Sequence, residues 1–113
     1  MDDKELESVM GLIVYGGNAK GLAVEAIHAA KNFDFETAEQ KLSKANESLV
    51  LAHNSQTEQL TKEASGGGVS LSLLMVHGQD HLMNAITFID LAKEVIDVYK
   101  MLNKYLGGDY DRE

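Results

Sequence analysis

No cysteine, proline or tryptophan occurs anywhere in the chain, and aromatic residues amount to 4 tyrosines and 3 phenylalanines. Each gap removes a class of answer. Without cysteine there is no disulfide framework, no thiolate nucleophile and no zinc-thiolate site, which fits a reducing compartment. Without proline nothing forces a break in a long helix, so an all-α chain is the expectation. Positive charge is scarce as well: 10 Lys and Arg stand against 18 Asp and Glu, giving a formal charge of -8 and a pI near 4.9. Nucleic acid or an anionic membrane would be repelled by such a surface, and a basic or apolar protein surface suits it better. No apolar run of about 18 residues and no charged start with an apolar h-region is present. The chain therefore reads as soluble and cytoplasmic, with neither a membrane span nor a signal peptide. At 113 residues it reads as one domain, 1–113, small enough for a partner copy to matter to its stability.

What is present is a helical apolar rhythm. Leu6, Val9, Ile13, Ala23, Ala26, Ile27 and Ala30 keep mainly three- and four-residue spacings, one face of a helix over about 3–32. Gly16, Gly17 and Gly21 interrupt its middle, each costing roughly 1 kcal/mol relative to alanine in a helix interior. They mark either a break or a helix kept smooth for the close approach of another backbone or a ligand, and the smooth helix is the expectation. Asp34 is placed to cap a second helix over about 34–63, where Ala38, Leu42, Ala45, Leu49, Ala52 and Gln56 alternate spacings of four and three. That seam turns polar from His53 to Gln59, as a solvated end or as support for a site. Ser65-Gly66-Gly67-Gly68 reads as a flexible reversal. A third helix over about 70–106 carries the stripe Ala85, Phe88, Ala92, Val95, Tyr99 and Leu102, until Gly107 and Gly108 stop it and leave an acidic tail, 107–113. Together these predict an antiparallel three-helix bundle.

The third helix has more apolar surface than a lone bundle needs. Leu73, Val76, Met83 and Thr87 form a second set spaced three, seven and four, with Asp80 filling the missing position. Burying an unpaired carboxylate is expensive, so Asp80 is expected to be protonated, paired with a cation or exposed. If this seam lies on a symmetry axis, copies of Asp80 converge, a hard cation relieves their repulsion and the protein is an oligomer. The alternative is an aspartate at the edge of a wide apolar face.

Asp80 belongs to the densest chemistry in the chain, Met75-Val76-His77-Gly78-Gln79-Asp80-His81-Leu82-Met83. Positions three and four apart on a helix are neighbours, so His77, Asp80 and His81 share one broad face, and the flanking Leu73, Val76, Met83 and Ile86 imply partial desolvation. An imidazole on such a face is commonly a satisfied core residue, but the neighbours here favour chemistry. Imidazole is a competent nucleophile near neutral pH once an acceptor on one ring nitrogen fixes the tautomer that frees the other. Asp80, Gln79, Gln56 and His81 are candidates for that acceptor. A phosphoryl group on His77 would need donors, which Gln79, His81 and the free amides near the start of the helix offer. A rival uses His77, Asp80 and His81 as zinc ligands at helical spacing, although no glutamate lies between the histidines as in the common hydrolytic motif. Gly78 is expected to leave one side of the His77 ring open to a partner. His28 and His53 read as surface or boundary residues, and a plain helical adaptor without chemistry is the remaining alternative.

Nearly end to end, these residues resemble the lactose/cellobiose-type enzyme IIA of the bacterial sugar phosphotransferase system. Met10-Gly11-Leu12-Ile13 with Gly17-Asn18-Ala19-Lys20 resembles the family's first helix, and Ala52-His53-Asn54-Ser55-Gln56-Thr57 resembles its second. Val69-Ser70-Leu71 followed by Val76 to Met83 resembles its signature, usually written with alanine where this chain has Gly78. The resemblance implies a homotrimer of three-helix protomers with the nucleophilic histidine near subunit boundaries and a metal ion on the axis. By position it implies His77 as the phosphorylated residue, Gln79 and His81 as lining of the phosphoryl site, and Asp80 as the ligand of an axial Mg2+ with a structural role; Gln56 is placed in the same lining. It further implies phosphoryl transfer from the histidine-containing phosphocarrier protein to a cysteine of the cognate enzyme IIB during disaccharide uptake, with the sugar left open.

Overall fold

The structure, a computed structural model, describes residues 1–69 and 71–107 as three long helices: α1 (Asp3–Lys31), α2 (Phe35–Ala64) and α3 (Leu73–Tyr105). Each start has a side-chain cap for its free amides. Asp2 accepts from the Glu5 amide at 2.8 Å, Asp34 from the Thr37 amide at 3.2 Å, and Ser72 Oγ from the Met75 amide at 3.1 Å. Asp34 thus caps α2 as its sequence position indicates. α3 begins later than expected, because Ser72, in extended conformation, takes the cap and holds the helix to a start at Leu73. Ser70, the expected first residue, lies outside the described residues. At the far end Leu106 caps α3 and Gly107 takes a φ of 87°, a left-handed turn that glycine tolerates. Gly108 and the remainder of the acidic tail lie outside the described residues.

The partners of each helix fix its direction. α1 and α3 ascend together: a Cβ on Gly78 would stand 3.3 Å from Leu12 Cβ, and a Cβ on Gly16 would stand 3.2 Å from the His81 carbonyl oxygen. α2 descends between their starts and ends, tied to α1 by Ser8 Oγ donating to Glu58 (3.0 Å) and by Lys41 with Glu25 (2.8 Å). Lys62 also pairs with Glu5, so the polar end of α2 is held against the start of α1 rather than frayed. The bundle is a slender rod with extents of 60 × 21 × 18 Å. Among the described residues no helix is long and apolar enough to cross a membrane.

Alanine lets the rods lie close. Ala19, Ala23, Ala26 and Ala30 of α1 face Ala38 and Ala45 of α2 and Ala85 and Ala92 of α3, with Leu12, Leu82, Ile89 and Ile96 filling the space between. α1 runs unbroken through Gly16 and Gly17, as the smooth-helix expectation required. Two details differ from the sequence reading. The α3 core stripe is Leu82, Ala85, Ile89, Ala92 and Ile96, while Leu102 is exposed; α3 turns the larger branched residues inward, and Phe88 and Val95 lie at the margin. Leu6 likewise stays exposed on α1. The second apolar set of α3 is outside the protomer core: Leu73 is 85% exposed, and Val76 and Met83 are each 52% exposed. An apolar ridge of that kind on a small helical rod calls for a covering surface.

Candidate functional site

The first turns of α3 run beside α1, and that contact places the two histidines. His77 Nε2 and His81 Nε2 are 3.2 Å apart, with ring centroids at 4.5 Å and planes at 78°. At that separation one nitrogen can donate to the other, with the direction set by the tautomers of the two rings. His77 is exposed, and with Leu73 and Leu74 it lines a hollow of about 390 Å3. His81 is half-buried, its Nδ1 turned to α1, where a Cβ on Gly17 would stand 3.8 Å away.

Gln79 faces the other way. Residues two apart on a helix do not face each other, and the Gln79 side chain meets α2 instead, where Gln56 Nε2 donates to Gln79 Oε1 at 2.8 Å. Methionine sulfurs flank this pair, Met83 Sδ at 3.9 Å from Gln56 Nε2 and Met75 Sδ at 3.8 Å from Gln79 Nε2. Within one protomer the four residues therefore form two couples, His77 with His81 on the α1 flank and Gln56 with Gln79 on the α2 flank. The exposed ridge of Val76, Asp80 and Met83 stands between them.

Asp80 is exposed and borders a cleft of about 210 Å3 with Gly16, Gly17, Lys20, His81 and Asn84. Lys20 and Asn84 did not stand out in the sequence. Asn84 follows Asp80 by four and was findable by helical spacing; Lys20 arrives from α1, where its Nζ also lies 5.6 Å from the centre of the Phe88 ring. Among the described residues no group of three or more His, Asp and Glu is placed to hold a metal ion. The three-ligand zinc arrangement is thus not formed in the protomer, where the two imidazoles turn to each other. A single exposed carboxylate on the ridge suits a hard cation only where copies of it meet.

Two expectations are corrected. Gly78 does not open the His77 ring: it is buried against α1, where a Cβ would stand 3.3 Å from Val9 Cγ1, the Val9 carbonyl oxygen and Leu12 Cβ. Its function is to let the two helix backbones meet. The partial desolvation expected of His77 and Asp80 is also absent from the protomer, because the Leu73, Val76 and Met83 side chains that were to supply it are themselves exposed. His28 and His53 lie on the surface as read.

The family described as "PTS system, Lactose/Cellobiose specific IIA subunit" matches residues 7–100, a span that holds every residue of both couples and Asp80. The chain is 54% identical over 94 residues to the galactose-specific EIIA component of Lactococcus lactis subsp. cremoris, covering 83% of this chain and 81% of that one. The crystal structure of the cellobiose-specific enzyme IIA from Bacillus anthracis superposes with a TM-score of 0.88 at 41% identity, over 92% of this chain and 95% of that one. A solution structure of the IIA(Chitobiose)-HPr complex of the Escherichia coli N,N'-diacetylchitobiose branch gives 0.76 at 35% identity, over 91% and 99%. With sequence and fold in agreement, the chain belongs to the lactose/cellobiose-specific IIA family of the sugar phosphotransferase system and is a phosphotransferase component of it.

Proposed function

We propose that His77 accepts a phosphoryl group from the histidine-containing phosphocarrier protein and passes it to a cysteine of a cognate enzyme IIB in disaccharide uptake. The observation that carries this reading is the placement of His77, an exposed imidazole at an apolar hollow with a second imidazole at hydrogen-bond distance. The hollow gives a partner protein a surface that excludes water, and His81 offers a donor to the charge that develops on the phosphoryl oxygens. Phosphoryl transfer asks chiefly for such positioning and charge stabilisation. The solved complex of a chitobiose IIA with HPr, 35% identical to this chain, supports the choice of donor.

The exposed Val76, Asp80 and Met83 ridge suits a parallel homotrimer about an axis along α3. In that arrangement the Gln56 and Gln79 flank of one protomer approaches the His77 flank of the next, and the copies of Asp80 converge. Asp80 would hold a divalent cation, Mg2+ in our reading, and the cation supplies the charge that lets three carboxylates share the axis. Its role is assembly; no step of the transfer passes through it. The site is cytoplasmic, where donor and acceptor proteins meet.

The test is a complete relay: phosphoenolpyruvate, the system's first enzyme, the phosphocarrier, this protein and a IIB. Phosphate is expected to reach the IIB cysteine with wild type and to stop at the phosphocarrier with His77→Ala. Transfer that persists with His77→Ala would overturn the assignment.

A further inference from the structure

The contact between the two histidines leaves no room for the product. A lone pair on His77 Nε2 points in the plane of its ring, and His81 Nε2 stands 3.2 Å away, a hydrogen-bond length. A tetrahedral phosphoryl group bonded to that nitrogen would occupy the space that His81 now fills. One of the two rings must therefore give way when His77 is phosphorylated there, and only a turn of His81 keeps the His77 nitrogen presented at its hollow. The His81 backbone is pinned, because a Cβ on Gly16 would stand only 3.2 Å from the His81 carbonyl oxygen and 3.4 Å from the Leu82 amide nitrogen. The main chain there has no room to move toward α1, so the yielding part of His81 is its ring.

One direction is open to it. On the side away from His77, His81 Nδ1 faces Gly17, where no side chain stands and the position of the missing Cβ is 3.8 Å away. Beside it lies the cleft of about 210 Å3 bounded by Gly16, Gly17, Lys20, Asp80, His81 and Asn84. In the structure as it stands, a methyl at position 17 would make an ordinary contact, so the resting arrangement alone does not call for glycine there. A glycine in a helix interior costs roughly 1 kcal/mol relative to alanine, and the withdrawn ring supplies the reason.

We propose that Gly17 is a positioning residue for phosphoryl transfer: the space left by its absent side chain receives the His81 ring when His77 carries phosphate on Nε2. The inference rests on the carrier function proposed above. His77 reacts as the tautomer with its proton on Nδ1, and His81 donates its Nε2 proton to His77 Nε2 at rest. As the new N–P bond forms, the P–N bond of the phosphocarrier's phosphohistidine breaks and its electron pair returns to that nitrogen. No proton changes hands. His81, turned toward Gly17, then donates the same proton to a phosphoryl oxygen.

The test fills the slot with Gly17→Val and times phosphoryl transfer from the phosphocarrier in two backgrounds, with and without His81→Ala. The slot predicts about a tenfold slowing when the ring is present and less than about twofold when it is absent, since the two changes act on one space. Equal slowing in both backgrounds, or none in the first, would overturn the proposal. A second measurement leaves His81 intact: proton NMR of isotope-labelled wild type before and after phosphorylation. A contact between the His81 ring protons and the Gly17 Hα protons is expected to strengthen in the phosphorylated form; an unchanged contact, or phosphate on His77 Nδ1, overturns the slot. Absence of phosphate from His77 in wild type would instead overturn the carrier function and is read separately.

Discussion

The amide of Gln56 donates to the side-chain oxygen of Gln79 across 2.8 Å, which binds the residue two positions after His77 to α2 and away from the histidine. In the trimer proposed above, Gln79 serves the His77 of a neighbour. Gln79→Leu is expected to slow phosphate acceptance by about a hundredfold, the scale of losing one positioned donor. After subunit exchange with His77→Ala chains, which keep Gln79, phosphate should return to the Gln79→Leu chains. Mixed protein as slow as Gln79→Leu alone would place both residues in one protomer's site.

The three glycines in the middle of α1, Gly16, Gly17 and Gly21, differ in what surrounds them. Gly16 presses on the His81 main chain, whereas a Cβ on Gly21 would meet nothing within 4 Å. Gly16→Val is predicted to destabilise the fold by about 1–3 kcal/mol, since a backbone contact cannot yield as a side chain does. Gly21→Ala should stabilise it by about 0.5–1 kcal/mol through helix propensity and a less flexible unfolded chain. Urea unfolding of the two variants checks the sign of each.

Asp80 stands on the exposed ridge between Val76 and Met83. If wild type is the trimer proposed above, chelation of divalent cations should loosen it by exposing like charges to one another. Asp80→Leu removes those charges and should hold the trimer with or without chelator. Sedimentation at matched protein concentration reads both, and a monomeric Asp80→Leu would refute the axial placement.

Asp34 caps α2, and its hydrogen bonds to Thr37 hold its carboxyl below the ordinary value of 3.8. A depressed carboxyl means that the unfolded chain binds more protons, so stability rises with pH through this range. Asp34 should contribute fully above about pH 4 and lose that contribution as acidity passes through its lowered folded-state value. Asp34→Ala should lower stability at neutral pH and leave a shallower decline in acid. Thermal melts from pH 7 to 3 follow the difference.

Much of this arrangement was legible in the sequence. Spacing predicted three helices and marked the Leu73, Val76 and Met83 ridge as surplus to a lone bundle; residue type pointed to the Asp34 cap, and of two readings of the α1 glycines the smooth helix was the one expected. What spacing did not give was the flank on which each side chain falls. Gln79 and His77 are two positions apart, so they diverge once α1 and α2 take opposite sides of α3. Gly78 looked like an opening beside the histidine because its burial against Val9 and Leu12 depends on how closely α1 approaches. Lys20 entered the cleft beside Asp80 for the same reason, through a contact between helices far apart in sequence.

Site-resolved mass spectrometry of the protein after incubation with phosphoenolpyruvate, the first enzyme and the phosphocarrier tests the central claim most directly. One phosphate per chain, located on His77, is the predicted result. Phosphate on His81, His53 or His28 with His77 unmodified would contradict it.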